Sequence, residues 1–248
     1  GVAIVAGTIF HDLLDPANQE SVLKAVDDIC RLITDPALPK LPVHQGQKFP
    51  TPYMTVMDWG HDRRDYAAGH PDRAPRLSAG EWSGFMENLR AVCERANKYG
   101  VRPVIHPHAG SYIEFEDEIA AVVRDIPYET AGLCLDTGHL YYSHMDPAEY
   151  LKKYASRLDY VHFKDVNEKV YREVLNEHIR FFDGCGKGAM CPIGTGSLDY
   201  PGIKQALEDI GYSGYITIEQ ERDPRNVEGS LRDVKASVEY LKSVGYHI

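Results

Sequence analysis

Apolar, β-branched runs alternate with stretches of helical periodicity along this chain. Runs near 2–7 (VAIVAG), 53–58 (YMTVMD), 101–106 (VRPVIH), 131–136 (AGLCLD), 158–163 (LDYVHF) and 214–219 (GYITIE) read as strands. Several are almost continuously apolar, as strands covered on both faces are. Helical patterns fall near 18–33, 78–99, 115–125, 147–156, 200–210 and 229–243. Ser78 and Glu81 have the spacing of a capping box, Asp199 stands where a helix cap belongs, and Gly100 and Gly211 sit where helices should stop. This βα rhythm predicts a parallel sheet. Residues 34–52 and 59–77 are rich in Pro, Gly, His and charge and read as long loops. Residues 165–199 form a third excursion, with a short helix near 167–178 and a glycine-rich end.

The expected architecture is α/β, a (β/α)8 TIM barrel forming a single domain over 1–248. Six strands are too few to close eight, and the chain opens on Gly1 directly into a strand. The first one or two βα units, roughly 50 residues, are therefore expected to be absent from it. An open six-stranded sheet is the alternative, and it would leave two unpaired edges.

Composition narrows the function classes. The formal net charge is −10. Such a chain repels a phosphate backbone, and no basic run provides a local exception, so nucleic acid is not an expected partner. No apolar run reaches the roughly 18 residues of a membrane span, and no signal-peptide pattern opens the chain. The five cysteines are Cys30, Cys93, Cys134, Cys185 and Cys191. They are odd in number, irregularly spaced and without a C-x-x-C pair, which points away from a disulfide framework and towards the cytoplasm. Cys134 reads as a small core residue, Cys185 and Cys191 as loop thiols.

Chemistry-bearing residues recur at one place, the C-terminal end of each expected strand: His106-Pro-His108, Asp136-Thr-Gly-His139, His162-Phe-Lys164-Asp165 and Glu219-Gln-Glu221-Arg-Asp223. In a parallel barrel these ends share one rim, where barrel active sites lie. Asp, His and Glu gathered there suit a divalent metal ion: Mn²⁺ or Co²⁺ foremost, with Zn²⁺, Fe²⁺ and Mg²⁺ as alternatives. Such an ion polarises a ketone and stabilises the enediolate formed when the α-proton leaves. Simpler readings exist for each residue. Asp136 could cap the turn after it, His162 could be a core histidine, Glu219 a rim ion-pair partner and His139 a packing residue. Lys164 and Asp165 could pair with each other on the surface. Glu116, Asp117 and Glu118 read as a solvated acidic helix start. His11, His61, His70, His144, His178 and His247 read as surface residues without a role.

His106-Pro-His-Ala-Gly-Ser111, Leu135-Asp-Thr-Gly-His-Leu140, Val161-His-Phe-Lys-Asp-Val166, Pro192-Ile-Gly-Thr-Gly196 and Ile218-Glu-Gln-Glu-Arg-Asp-Pro224, in this order, resemble the inosose dehydratase branch of the xylose-isomerase-like barrel superfamily. The resemblance runs from about residue 78 to the C-terminus. Two departures stand out: Pro107 lies between two histidines where the branch has three in a row, and Gln220 replaces an alanine. The resemblance implies one divalent metal held by Glu, Asp, His and Glu. Asp136, His162 and Glu219 match the last three, and Glu114 is expected as the first, with His106 as the alternative. It implies an inosose or similar polyhydroxy ketone as substrate, met by His106, His139 and Asp165. Glu219 or Glu221 is expected as base, and His108 or Lys164 as acid for the departing hydroxyl. The rival readings are a metal-dependent ketose isomerase or epimerase, an abasic-site endonuclease on the same barrel, and a non-catalytic sugar-binding protein. A homo-oligomer is compatible with all of them.

Overall fold

The structure is a computed structural model, and it describes residues 2–59, 61–222, 225 and 227–247. Asp223 and Pro224, in the last motif, lie outside the described residues. The elements in chain order are β1 (Ala6–His11), α1 (Gln19–Ile33), β2 (Tyr53–Asp58), α2 (Asp62–Asp65), α3 (Ala79–Asn97), β3 (Arg102–Ile105) and α4 (Glu116–Asp125). There follow β4 (Gly132–Asp136), α5 (Thr137–Tyr142), α6 (Pro147–Lys153), β5 (Leu158–Phe163), β6 (Asp165–Val166), α7 (Glu168–Asn176), α8 (Phe181–Gly186), β7 (Met190–Cys191), α9 (Tyr200–Asp209), β8 (Ile216–Ile218) and α10 (Ser230–Ser243).

Six strands form one sheet in the order β1-β2-β3-β4-β5-β8, every neighbouring pair parallel. The remaining two, β6 and β7, pair antiparallel beside it. The sheet therefore follows the βα rhythm of the sequence. The first strand lies four residues later than the apolar run suggested. Pairing with β2 decides this, since Ala6 lies opposite Tyr53 and His11 opposite Asp58, and hydrophobicity alone does not fix register.

Local signals set the helix ends. Ser78 Oγ accepts from Glu81 N, and the Glu81 carboxylate accepts from Ser78 N, closing the capping box on α3. Asp199 caps α9 by accepting from Gly202 N. The helices cover one face of the sheet, where Ile105, Leu133, Leu135, Val161 and Phe163 join the large core. Tyr53, Val104, Cys134 and Tyr160 form a small cluster on the opposite face. Side chains two residues apart share a face of a strand. One step up from Val104, Cys134 and Tyr160 along that face stand His106, Asp136 and His162.

The segment at 59–77 is not simply a loop. It contains α2, whose Arg64 is fully buried and bonds both oxygens of Glu118, at 2.8 and 3.0 Å, and Pro75 O at 3.0 Å. Glu118 is thus a buried partner of Arg64, not a member of a solvated acidic face. An unpaired charge there would carry a heavy desolvation cost, so the two residues bury together. Cys185 also differs from expectation: it is a buried residue of α8.

Candidate metal centre

Asp136 ends β4 and caps α5. Its Oδ1 accepts from Gly138 N (2.8 Å) and His139 N (3.0 Å), so the capping role is real. Capping uses one oxygen. The other, Oδ2, is buried without a hydrogen bond and lies 3.1 Å from Lys164 Nζ and 3.9 Å from His162 Nδ1. His162 Nδ1 is likewise buried without an aligned hydrogen bond, 3.2 Å from Glu219 Oε1. Ligand atoms of Asp136, His162 and Glu219 all lie within 4.8 Å of one another. Donors about 2 Å from a common ion sit a few ångströms apart, so this spacing is within its reach.

His106 sits beside this trio. Its Nδ1 faces Cys134 O at 3.1 Å. A carbonyl only accepts, so Nδ1 carries the proton and Nε2 presents a lone pair, which is buried and has no partner. A histidine oriented by a backbone carbonyl in this way is disposed to ligate metal. Ligand atoms of His106 lie within the same 4.8 Å of Asp136 and His139, and of Cys134 and His162.

A second group lies alongside. His108 Nε2 is 3.2 Å from Glu221 Oε1, and His139 Nε2 is 3.7 Å from Glu221 Oε2. The two imidazole rings lie 4.0 Å apart. Between the groups stands Lys164, almost wholly buried, with its ammonium 2.6 Å from Glu219 Oε2 and 3.0 Å from His139 Nε2. Phe10 and Phe181 pack against His108. Phe10, His106, His108, Lys164, Glu219 and Glu221 line one cleft.

Electrostatics follow from this placement. Burial raises the Asp136 carboxyl above its ordinary range, against the pull of Lys164. Burial acts the same way on Glu219, but Lys164 and His162 outweigh it and hold that carboxyl well below its usual value. Glu221 is also lowered: Lys164 and His108 overcome its burial. Burial disfavours the Lys164 ammonium, yet Asp136, Glu221 and Glu219 hold its proton well above the ordinary lysine range. Burial lowers His106 and His139 strongly, which leaves both imidazoles neutral.

Two expected site residues do other work. Glu114, expected as a metal ligand, accepts from Gly69 N (2.7 Å), Gly110 N (2.9 Å) and Ser143 Oγ (3.1 Å), with Arg64 at 3.5 Å. Its oxygens are occupied and it is not part of the Asp136 trio. Asp165, expected at the substrate, is fully buried and accepts from the N–H groups of Val166, Gly194, Gly196 and Leu198 at 2.9 to 3.1 Å. It ties down the Pro-Ile-Gly-Thr-Gly loop, and a Cβ at Gly196 would lie 2.2 Å from its Oδ1, so only glycine fits. Lys164 and Asp165 are not a surface pair. His61, read as a surface residue, is partly buried with Nε2 3.6 Å from both Asp12 and Asp58. Arg64, which braces Glu114, was missed because nothing in the 59–77 stretch distinguishes a buried arginine from its exposed neighbours Arg63 and Arg73.

The model of the family described as xylose isomerase-like TIM barrel matches residues 45–244. The chain belongs to that family. Among relatives of known name, the inosose dehydratase of Clostridium perfringens (strain 13) is 35% identical over 148 residues, 60% of this chain and 50% of the relative. The inosose dehydratase of Geobacillus kaustophilus is 32% identical over 184 residues, 72% of this chain and 59% of the relative. The chain thus spans about half the length of the curated relatives it matches. Family resemblance in fold extends to the probable 3-DHS dehydratase AsbF from Bacillus anthracis, with a TM-score of 0.69 at 14% identity, covering 97% of this chain and 76% of AsbF. The IOLI protein, whose structure holds a zinc atom, has a TM-score of 0.65 at 14% identity, covering 97% of this chain and 77% of IOLI. No helix among the described residues is long and apolar enough to cross a membrane.

Proposed function

We propose that this chain carries the catalytic rim of a metal-dependent dehydratase acting on an inosose or a similar polyhydroxy ketone. The observation that supports this most is the set of buried donor atoms that make no hydrogen bond at one end of the sheet. Asp136 Oδ2, His162 Nδ1 and His106 Nε2 are all of this kind, and Glu219 stands beside them. A mixed O and N donor set suits a divalent ion, Mn²⁺ or Co²⁺ foremost. Asp136, His162 and Glu219 would hold it, with His106 in place of Glu114 as the fourth donor. When bound, the ion supplies Lewis-acid polarisation of the ketone.

The remaining steps belong to the side chains. Glu221 is kept as a carboxylate by Lys164 and His108, so it is the base that takes the proton α to the ketone. Elimination then breaks the β C–O bond, and the hydroxyl needs a proton to leave as water. The proton that Glu221 has taken reaches it through His108: Nδ1–H is held by Ala109 O at 2.8 Å, and the ring's other nitrogen, Nε2, adjoins Glu221 Oε1 and passes that proton on to the departing hydroxyl. Lys164, with its ammonium 2.6 Å from Glu219 Oε2 and 3.0 Å from His139 Nε2, stabilises negative charge developing on the substrate oxygens. The resulting enol tautomerises to a diketone. Because Glu221 and His108 are hydrogen-bonded neighbours, proton removal and water formation occur on the same face of the substrate.

Incubating the purified protein with inososes and ketohexoses, with and without chelator, tests this reading. A chelator-sensitive product that has lost one water supports it. A product of unchanged mass supports the isomerase or epimerase alternative, and turnover indifferent to chelator removes the metal from the mechanism.

A further inference from the structure

The rim contains two donor groups that share no residue with each other, bridged by a third made of His106, Asp136 and His139. Besides Asp136, His162 and Glu219, ligand atoms of His108, His139 and Glu221 also lie within 4.8 Å of one another. Two imidazoles and a carboxylate make a sound ligand set for a divalent ion. Both histidines are almost wholly buried.

Lys164 lies between them. Its Nζ is 3.0 Å from His139 Nε2 and 3.7 Å from Glu221 Oε2 on one side. It is 3.1 Å from Asp136 Oδ2 and 2.6 Å from Glu219 Oε2 on the other. This placement is built in. Thr137 Oγ1 donates to Lys164 O (2.9 Å) and accepts from Lys164 N (3.0 Å), and Tyr200 Oη donates to Lys164 O (2.8 Å). A Cβ at Gly138 would lie 2.5 Å from Lys164 Cβ, so that glycine leaves room for the stem. The ammonium cannot retreat to solvent without giving up three carboxylates.

Charge leads to the same conclusion. Asp136, Glu219 and Glu221 bring three negative charges to one cleft, and Lys164 brings one positive charge. One dication balances the remainder, and a second would leave two uncompensated positive charges.

Resting on the single-ion reading above, we propose that His108, His139 and Glu221 form a latent second divalent-cation site. Lys164 keeps it closed: its ammonium, 3.0 Å from His139 Nε2 and 3.7 Å from Glu221 Oε2, already supplies the positive charge beside these donors, and so fixes the rim at one ion. Lys164 is a specificity-determining residue for metal stoichiometry as well as a charge beside the substrate.

The test is metal content after equilibration with excess Mn²⁺ and desalting, read by elemental analysis, with manganese spin resonance reporting coupling between neighbouring ions. Wild type should hold one equivalent. Lys164→Met should hold two, with a coupled spectrum, and Lys164→Met/His139→Ala should return to one. Wild type with one and folded Lys164→Met with one overturns the inference and leaves the single-ion reading standing. Wild type with none overturns both. If Lys164→Met fails to fold, Lys164→Gln takes its place and should likewise hold two equivalents; one equivalent in that folded variant overturns the proposal.

Discussion

Two sets of acids sit within the same C-terminal rim, and they differ in what their oxygens touch. Glu114 and Asp165 accept from six backbone N–H groups and a serine hydroxyl between them. Asp136, Glu219 and Glu221 instead face imidazoles and an ammonium, with Asp136 Oδ2 left without a hydrogen bond. Carboxyl chemistry and a place at the rim are common to both sets. Satisfaction separates them: the first set holds loops in place, and the second is available for chemistry.

Substitutions should widen that contrast. The largest effect is expected at Asp136. Asp136→Asn should abolish metal retention and reduce turnover to background, measured by elemental analysis and product assay on one preparation. Glu221→Gln should keep the metal and lower kcat about 10²–10⁴-fold, the usual contribution of a positioned base. Full activity in that variant would remove Glu221 from the mechanism. At Asp165 the change should appear in stability instead. Asp165→Ala leaves four N–H groups without an acceptor and should cost about 4 kcal/mol in denaturant unfolding, with metal affinity per folded molecule unchanged.

The smallest effect is a pH slope. Burial pushes the Glu114 carboxyl from its ordinary 4.5 up to about 7, against the Arg64 guanidinium and the two glycine N–H groups. A carboxyl raised on folding favours the protonated fold. Its contribution is therefore full below about pH 4.5 and is lost as pH rises to about 7, a change of up to about 3 kcal/mol. Glu114→Gln should flatten that part of the profile of unfolding free energy against pH. An unchanged slope between pH 5 and 7 would mean that Glu114 is ionised throughout.

The same contrast marks what was legible in the sequence. Strands and their C-terminal ends could be read, because a two-residue period puts Cys134 with Asp136 and Tyr160 with His162 whatever the register. Caps were legible at Ser78 and Asp199, where the signal is local. The partners of Glu114 and Asp165 were not. Gly69 and Gly194 reach them from 45 and 29 residues away, and backbone N–H groups carry no residue-specific signal. Arg64 was hidden for a related reason, since its burial is decided by Glu118 on another element. Sequence can thus place a carboxylate at the rim without showing whether its oxygens are free.

Calorimetric titration of Mn²⁺ into Asp136→Asn and Glu114→Gln, each verified as folded, tests the central claim directly. Loss of the binding isotherm in Asp136→Asn with near-native affinity in Glu114→Gln is the predicted result. Binding retained by Asp136→Asn and lost in Glu114→Gln would contradict it.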